Sequence, residues 1–265
     1  MKTLKTGAFL SSFRMEFIPA MDKAKELGLT CLEFANVPGI DVFKPISDEQ
    51  AAYIRKAFED RGMFISSICG EVRGFCCETA EEAENKVALV KTVMDNGVKL
   101  GTKVIQLHIG AVPEDKEDPR YKNLTKSLTA LEAYGRSIDM YIATETGPEA
   151  GSALSAYLRG LKLERIRVNF DPANLCMCGF DEVQSVYDLS DLIIQTHAKD
   201  GIRGSVKDGY KEVPLGQGDV RWDEYLAALE KVGFNGAFII EREVGDNPAD
   251  DIAMAAGFLK NYGKK

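Results

Sequence analysis

The chain has 265 residues, 45% of them hydrophobic, with 33 Lys and Arg against 41 Asp and Glu and a formal net charge of −8. That length and apolar content suffice for a full core, while the acidic balance argues against a general binder of nucleic acid or anionic membrane, whose surfaces carry the same sign. No run of roughly 18 apolar residues occurs, so no transmembrane helix is expected.

The opening stretch MKTLKTGAFLSSF reads as a strand without a cleavage site, which gives a cytoplasmic expectation. Phe17, Ala20, Met21, Ala24 and Leu27 then share one helical face, closed by Gly28. The apolar run CLEFANV precedes Ser47 with Gln50 three residues on, a capping box opening a helix that buries Ile54, Ala57 and Phe58 before Gly62. MFISSICG precedes a second such pair, Thr79 and Glu82, with Ala83, Val87, Val90 and Met94 at helical spacing.

The second half repeats the alternation. TKVIQLHIG leads to Leu124, Leu128 and Leu131; DMYIATETG leads to Leu154, Leu158 and Leu161. RIRVNFDPANL leads to Val183, Val186 and Tyr187. LIIQTHAKDG leads, after a long loop, to Trp222, Tyr225, Leu226 and Leu229, with Trp222 expected in the core. NGAFIIEREVG leads through Asn247 and Pro248, a cap with proline in the first turn, to Ile252, Ala255, Ala256 and Leu259.

Strand–helix units thus recur at about 33 residues, the size of a βαβ repeat. The strands are short continuous apolar runs, as strands covered on both faces should be. No linker or composition break divides residues 1–265, so we read a single-domain (β/α)8 TIM barrel of the α/β class. An open doubly wound sheet is the rival, but no G-x-G-x-x-G follows the first strand. The six cysteines (Cys31, Cys69, Cys76, Cys77, Cys176 and Cys178) contain no C-x-x-C pair and read as reduced thiols, several of them small core residues. Cys176 and Cys178 as a soft-metal pair is the sharper but less favoured reading.

Such a barrel carries its site at the C-terminal ends of its strands. There the fifth strand offers Glu145, the sixth Asp171, the seventh His197 and the eighth Glu241. Three carboxylates converging on one mouth repel one another unless a cation neutralises them. With one imidazole they suit a divalent metal of the Mn, Mg, Co or Zn kind that leaves positions open for substrate oxygens. For a single residue, an ordinary strand-end hydrogen bond is the better explanation; for four successive strands it is not.

The segments ATETG (143–147), NFDPAN (169–174), THAKDG (196–201) and VPLGQGDVRWDEYLAALEKVGFNGAFIIERE (213–243) resemble, in order and spacing, the xylose isomerase-like barrel superfamily of sugar phosphate isomerases and epimerases. The likeness covers essentially the whole chain. It implies metal ligation by Glu145, Asp171, His197 and Glu241, with Mn2+ the leading metal. It also implies a substrate-holding arginine six residues after the histidine, where Arg203 stands. Ketose 3-epimerases of the group place a second histidine shortly after the aspartate, where this chain has Asn174 and Leu175, and their first-strand and fourth-strand signatures are not evident.

The expected chemistry is isomerisation or epimerisation of a ketose or keto-acid. Metal polarises the carbonyl, one of Glu145 and Glu241 removes the neighbouring proton, the metal stabilises a cis-enediolate, and the other glutamate returns the proton. Loss of a β-hydroxyl from the same enediolate would make a keto-sugar or keto-inositol dehydratase or lyase. Glu243, two residues beyond Glu241, is an alternative ligand. His108, Glu33, Glu71, Lys199 and Arg203 are candidate substrate contacts, each with a local hydrogen bond or ion pair as the plainer alternative. The glycine-rich stretch 201–218 is expected to lid the seventh strand, and Arg203, Lys207 and Lys211 in it are candidates for holding a phosphate, with a mobile solvated loop as the plainer reading. A DNA-repair endonuclease with a histidine-rich zinc cluster is excluded by the two histidines present. A non-catalytic sugar-binding barrel is disfavoured by carboxylates that cost stability without a metal. The expected partner is a small-molecule sugar, with no nucleic acid and no membrane, and a homo-oligomer is compatible with the sequence.

Overall fold

The computed structural model describes residues 4–262. Its strands are β1 (Lys5–Phe9), β2 (Cys31–Phe34), β3 (Phe64–Cys69), β4 (Val104–Leu107), β5 (Tyr141–Glu145), β6 (Ile166–Phe170), β7 (Ile193–Ala198), β8 (Asp200–Gly201), β9 (Glu212–Val213) and β10 (Ala237–Ile240). Its helices are α1 (Phe17–Glu26), α2 (Asp48–Glu59), α3 (Ala80–Leu100), α4 (Pro119–Ile138), α5 (Gly151–Leu161), α6 (Pro172–Met177), α7 (Glu182–Leu189), α8 (Trp222–Lys231) and α9 (Pro248–Tyr262). Eight strands close a barrel in the order β1-β10-β7-β6-β5-β4-β3-β2, every pair parallel. This is the (β/α)8 TIM barrel expected from the alternation of strand and helix patterns.

The helices form where the apolar spacing and the caps agree. Ser47 accepts from the Gln50 amide while the Gln50 side chain accepts from the Ser47 amide, a complete capping box at the start of α2. At α3 only half of the expected box forms: Thr79 caps the Glu82 amide, but the Glu82 carboxylate turns outward to Lys86. Gly28 ends α1 at φ +74°, a conformation that costs glycine little. The apolar faces of the helices meet the outside of the barrel, as where Tyr225 of α8 stacks on Phe170 of β6 with ring centroids 5.5 Å apart. Trp222 is buried there, as expected. Among the described residues no helix is long and apolar enough to cross a membrane.

Two register shifts lie beside the site. Ser66 is an extra residue on β3 against β2, and Ile194 is an extra residue on β7 against β6. Such bulges re-aim the residues that follow them, here Ser67 on β3 and Gln195 and His197 on β7. The barrel interior is accordingly polar on one side. Gln106, Ser67 and Gln195 are buried beneath the mouth, whereas Cys31, Ala237 and Ile239 form a small apolar cluster on the other side.

The 201–218 stretch is a built element rather than the free solvated loop that its composition suggests. β8 and β9 pair antiparallel and a 3-10 turn spans Ser205–Asp208. The buried Asp200 carboxylate accepts from the amides of Gly201, Gly216 and Val220 and from the Trp222 indole. A side chain at Gly218 would lie 2.1 Å from Asp200 Oδ1, so glycine there lets the chain close over that carboxylate. Arg242 ties β9 to the β10–α9 loop through Glu212. Cys176 is buried under this element with its thiol toward the Gly201 carbonyl, and burial pushes that thiol up to about 12, which suits a core residue.

Candidate metal centre

Four strand ends deliver the expected residues to one point. One ligand atom each from Glu145, Asp171, His197 and Glu241 lies within 4.8 Å of all the others, and all four residues are buried. The sharp β6-to-α6 turn explains Asp171: Oδ1 caps the helix by accepting from the Ala173 and Asn174 amides, which leaves Oδ2 turned to the centre without a partner. His197 Nδ1 stands 3.2 Å from Glu241 Oε2, 3.4 Å from Glu145 Oε1 and 3.8 Å from Asp171 Oδ2, and it too makes no hydrogen bond.

Buried polar atoms without partners are uncommon and call for an explanation. Two of them, an aspartate oxygen and an imidazole nitrogen facing two further carboxylates, are the donor set of a divalent cation. The residues therefore fit the metal expected of them. Glu243 does not join the cluster; its side chain is 61% exposed and reaches back to Lys199.

The neighbours of each ligand fix its direction. Glu33 lies beneath His197, fully buried, with Oε2 3.4 Å from Nε2. The same oxygen accepts from Ser67 Oγ at 2.8 Å and from Gln195 Nε2 at 2.7 Å. A carboxylate under Nε2 holds the proton on that nitrogen and leaves Nδ1 free to coordinate. Glu33 thus backs the His197 ring on its Nε2 side. Glu145 accepts from Asn174 Nδ2 at 2.7 Å and from Gln106 Nε2. Asn174, in the first turn of α6, thus steadies the Glu145 carboxylate.

Charge at the centre is finely divided. Burial disfavours the anionic form of Asp171 and raises its pKa. Burial opposes ionisation of Glu241 too, but Lys199 and His197 outweigh it and hold that carboxyl well below the usual range. Lys199 Nζ is buried 3.0 Å from Glu241 Oε2 and 4.0 Å from Asp171 Oδ2. Burial works against the charged forms of both Lys199 and His197, and the surrounding carboxylates, Glu241 first, raise both well above their ordinary values.

At the rim, Glu71 accepts from both the amide and Nδ1 of His108 at 2.8 Å, and His108 Nε2 is 3.7 Å from Glu145 Oε2. Burial alone would lower the imidazole pKa; Glu145 and Glu71 overcome it and bring it up to about 9. Arg203 makes its side-chain contacts elsewhere. It donates to the Phe180 and Asp219 carbonyls and to Glu182, which is fully buried and shared with Arg221. Lys207 is exposed, and Lys211 stands 3.6 Å from Asp208.

Two neighbours of the ligands, Gln106 and Asn174, escaped the reading of the sequence as site residues. Gln106 was within reach of it: two positions before His108 on a strand, it shares that residue's inward face. Glu149 was also missed. It lies in the turn before α5, its Oε2 is shielded and unpartnered, and burial pushes its carboxyl up to about 7.

The family described as xylose isomerase-like TIM barrel matches residues 21–262. No curated protein sequence matches the chain. Among solved structures, a xylose isomerase domain protein from Planctomyces limnophilus aligns with TM-score 0.80 at 22% identity, over 98% of this chain and 96% of that one. The 3-keto-D-glucoside 4-epimerase YcjR of E. coli aligns with TM-score 0.76 at 16% identity, over 97% and 99%. The Bacillus anthracis protein given as the probable 3-DHS dehydratase AsbF aligns with TM-score 0.74 at 17% identity, over 97% and 99%. At these identities the structural likeness speaks to the fold. With its family match running over nearly the whole barrel, the chain belongs to the xylose isomerase-like TIM barrel family.

Proposed function

We propose that this protein is a divalent-metal-dependent isomerase or epimerase of a ketose or keto-acid, in which Glu145 and Glu241 move the proton. The observation that carries this reading is the convergence of four buried side chains with one candidate ligand atom each within 4.8 Å, two of those atoms without a hydrogen bond. Asp171, His197, Glu145 and Glu241 would hold the metal, Mn2+ before Mg2+, Co2+ or Zn2+. Bound there, a divalent cation polarises a substrate carbonyl and makes the adjacent C–H more acidic.

The protein's own groups do the rest. Asn174 and Gln106 fix Glu145 from two sides, so its carboxylate is presented in one orientation. Lys199 keeps Glu241 ionised, the form a metal-ligating carboxylate must take. One of these glutamates takes the proton from the carbon beside the carbonyl, giving an enediolate, and the other returns it. Return to the same carbon from the opposite face epimerises; return to the neighbouring carbon isomerises. His108, held by Glu71 and facing Glu145, is placed to hydrogen-bond a substrate oxygen.

One observation favours a second reading, a dehydratase or lyase. In proton exchange between the two glutamates a buried ammonium serves only to keep Glu241 ionised, whereas in departure of a β-hydroxyl it could also donate to the leaving oxygen, and Lys199 stands 3.0 Å from Glu241. Deuterium wash-in separates the two. The protein is incubated with Mn2+ and a panel of ketoses, inososes and keto-acids in D2O. Metal-dependent C–H exchange that is lost in Glu145→Gln and Glu241→Gln, with product of unchanged skeleton mass, is the expected result. A product lighter by one water identifies the lyase, and metal binding without exchange or product across the panel overturns both.

A further inference from the structure

The loops above the metal centre hold more carboxylate than cation, and their better-placed cations are already engaged. Lys199 is held by Glu241 and Glu243, Arg242 by Glu212 and Asp251, and Arg203 by Glu182. Arg14 donates to the carbonyls of Glu243 and Gly245, and His108 is clamped by Glu71. All but His108 would have to leave a carboxylate or a carbonyl before gripping an anion; His108 keeps Nε2 unengaged, but the Glu71 carboxylate on Nδ1 matches its charge and Nε2 faces the Glu145 carboxylate. Among the described residues, the cations of these loops whose side chains are uncommitted are Arg73, Lys116 and Lys207, and all three stand on exposed turns.

The centre itself offers no surplus of positive charge. A divalent cation and Lys199 together only balance the carboxylates of Glu145, Asp171 and Glu241, with His197 neutral as a ligand. Glu149 adds acceptor capacity. Its electrostatic neighbours are His108 and Cys76, which follow β4 and β3, and Cys178 at the end of α6, so it stands beside the loops of the mouth with Oε2 shielded from solvent and without a hydrogen bond. Burial leaves its carboxyl near 7. A buried carboxyl without a partner is satisfied by a hydroxyl and repelled by another anion.

On the reading that substrate binds at the metal centre, we propose that the mouth takes an uncharged polyhydroxylated carbonyl compound and turns away substrates bearing a phosphate or a carboxylate. The phosphate-holding role open to Arg203 and Lys211 in the sequence then falls away, and these residues secure the loop instead. The proposal narrows the substrate class above by removing keto-acids and sugar phosphates from it.

The test uses the full-length protein loaded with Mn2+, whose paramagnetism speeds the nuclear relaxation of any small molecule that visits the mouth. The probes are fructose, a neutral inosose, fructose 6-phosphate, inorganic phosphate and pyruvate, each compared with the Glu149→Lys variant and with free Mn2+. For the unaltered protein, relaxation of fructose or the inosose at least tenfold above that of the three anionic probes is expected. Glu149→Lys is expected to narrow that gap. Anionic probes relaxed as strongly as the neutral ones overturn the proposal; so does failure of both neutral probes to be relaxed, or a gap that Glu149→Lys leaves unchanged. C–H exchange in the same samples in D2O reads the isomerase assignment separately. Exchange of an anionic probe alone overturns the charge argument and leaves the isomerase standing, whereas neutral probes bound without exchange do the reverse.

Discussion

Glu33 Oε2 lies 3.4 Å beneath His197 Nε2, both residues being buried and the carboxylate anchored by Ser67 and Gln195. A ligand imidazole held from behind in this way keeps one tautomer and one ring orientation. Loss of such a supporting carboxylate typically costs about 10–100-fold in metal affinity. Glu33→Gln is therefore expected to weaken Mn2+ binding by that factor while the barrel stays folded, measured by competition with a chelating dye and by circular dichroism. Unchanged affinity would show that Glu33 serves the barrel interior alone.

Metal binding should release a proton from His197. Although burial opposes it, the carboxylates around the imidazole raise its pKa well above 6.5 in the metal-free protein, so the ring is charged at neutral pH and must lose its proton to coordinate. Below the raised pKa, apparent affinity is expected to fall about tenfold per pH unit for that one proton. The same shift sets the stability of the metal-free protein. The folded-state pKa is the higher one, so this stabilisation is complete below the unfolded value of about 6.5 and is lost as pH rises through the folded value. Calorimetric titration with Mn2+ in buffers of different ionisation enthalpy should report close to one proton released at pH 7. None released would mean that His197 is already neutral.

Much of the barrel was readable because its signals repeat. Capping pairs such as Ser47 and Gln50, and helical faces such as Leu124, Leu128 and Leu131, each specify one local structure that agrees with its neighbours. The convergence of Glu145, Asp171, His197 and Glu241 was readable for a related reason: a strand-end residue in a barrel has only one mouth to face. What could not be read is what depends on register and loop path. The extra residues Ser66 and Ile194 leave no mark in composition, yet they help to bring Ser67, Gln195 and His197 to the Glu33 carboxylate. Arg203 stands at the spacing expected of a substrate-holding arginine, but the buried Glu182, far off in sequence, claims it. The short helix α6 was missed because Asp171 and Pro172 read as a strand end and not also as its cap.

Asp200 should prove structural. Its carboxylate accepts from three amides and the Trp222 indole, and Asp200→Ala would leave several buried donors unsatisfied at once. Each such donor costs about 1–3 kcal/mol, less whatever the loop recovers by opening to water. A net loss of about 3 kcal/mol in urea unfolding is expected, with Mn2+ affinity reduced less than in Glu33→Gln. A larger effect on metal affinity than on stability would place Asp200 in the centre's support instead.

Lys199 decides between the two chemistries proposed for the site. Its ammonium touches Glu241 and Glu243 and lies 4.0 Å from Asp171, so Lys199→Met removes a buried cation while keeping most of the stem that fills the same space. The carboxylates left behind then have more negative charge for a divalent cation to neutralise, and Mn2+ affinity should rise by roughly tenfold, since one such step is about 1.4 kcal/mol. Proton exchange between Glu145 and Glu241 needs only those two carboxylates, and it should survive in Lys199→Met at a rate within about tenfold of the parent, the tighter metal partly offsetting a less firmly held Glu241. Expulsion of a hydroxyl loses the group best placed to assist it and should fall by about 100-fold or more, within the range that a positioned acid contributes. Measuring C–H exchange and water loss on the same substrate in both proteins therefore tells which reaction Lys199 is there to serve. Retained exchange with no elimination in either protein marks an isomerase in which Lys199 acts on charge alone, and elimination that disappears with the lysine marks a lyase.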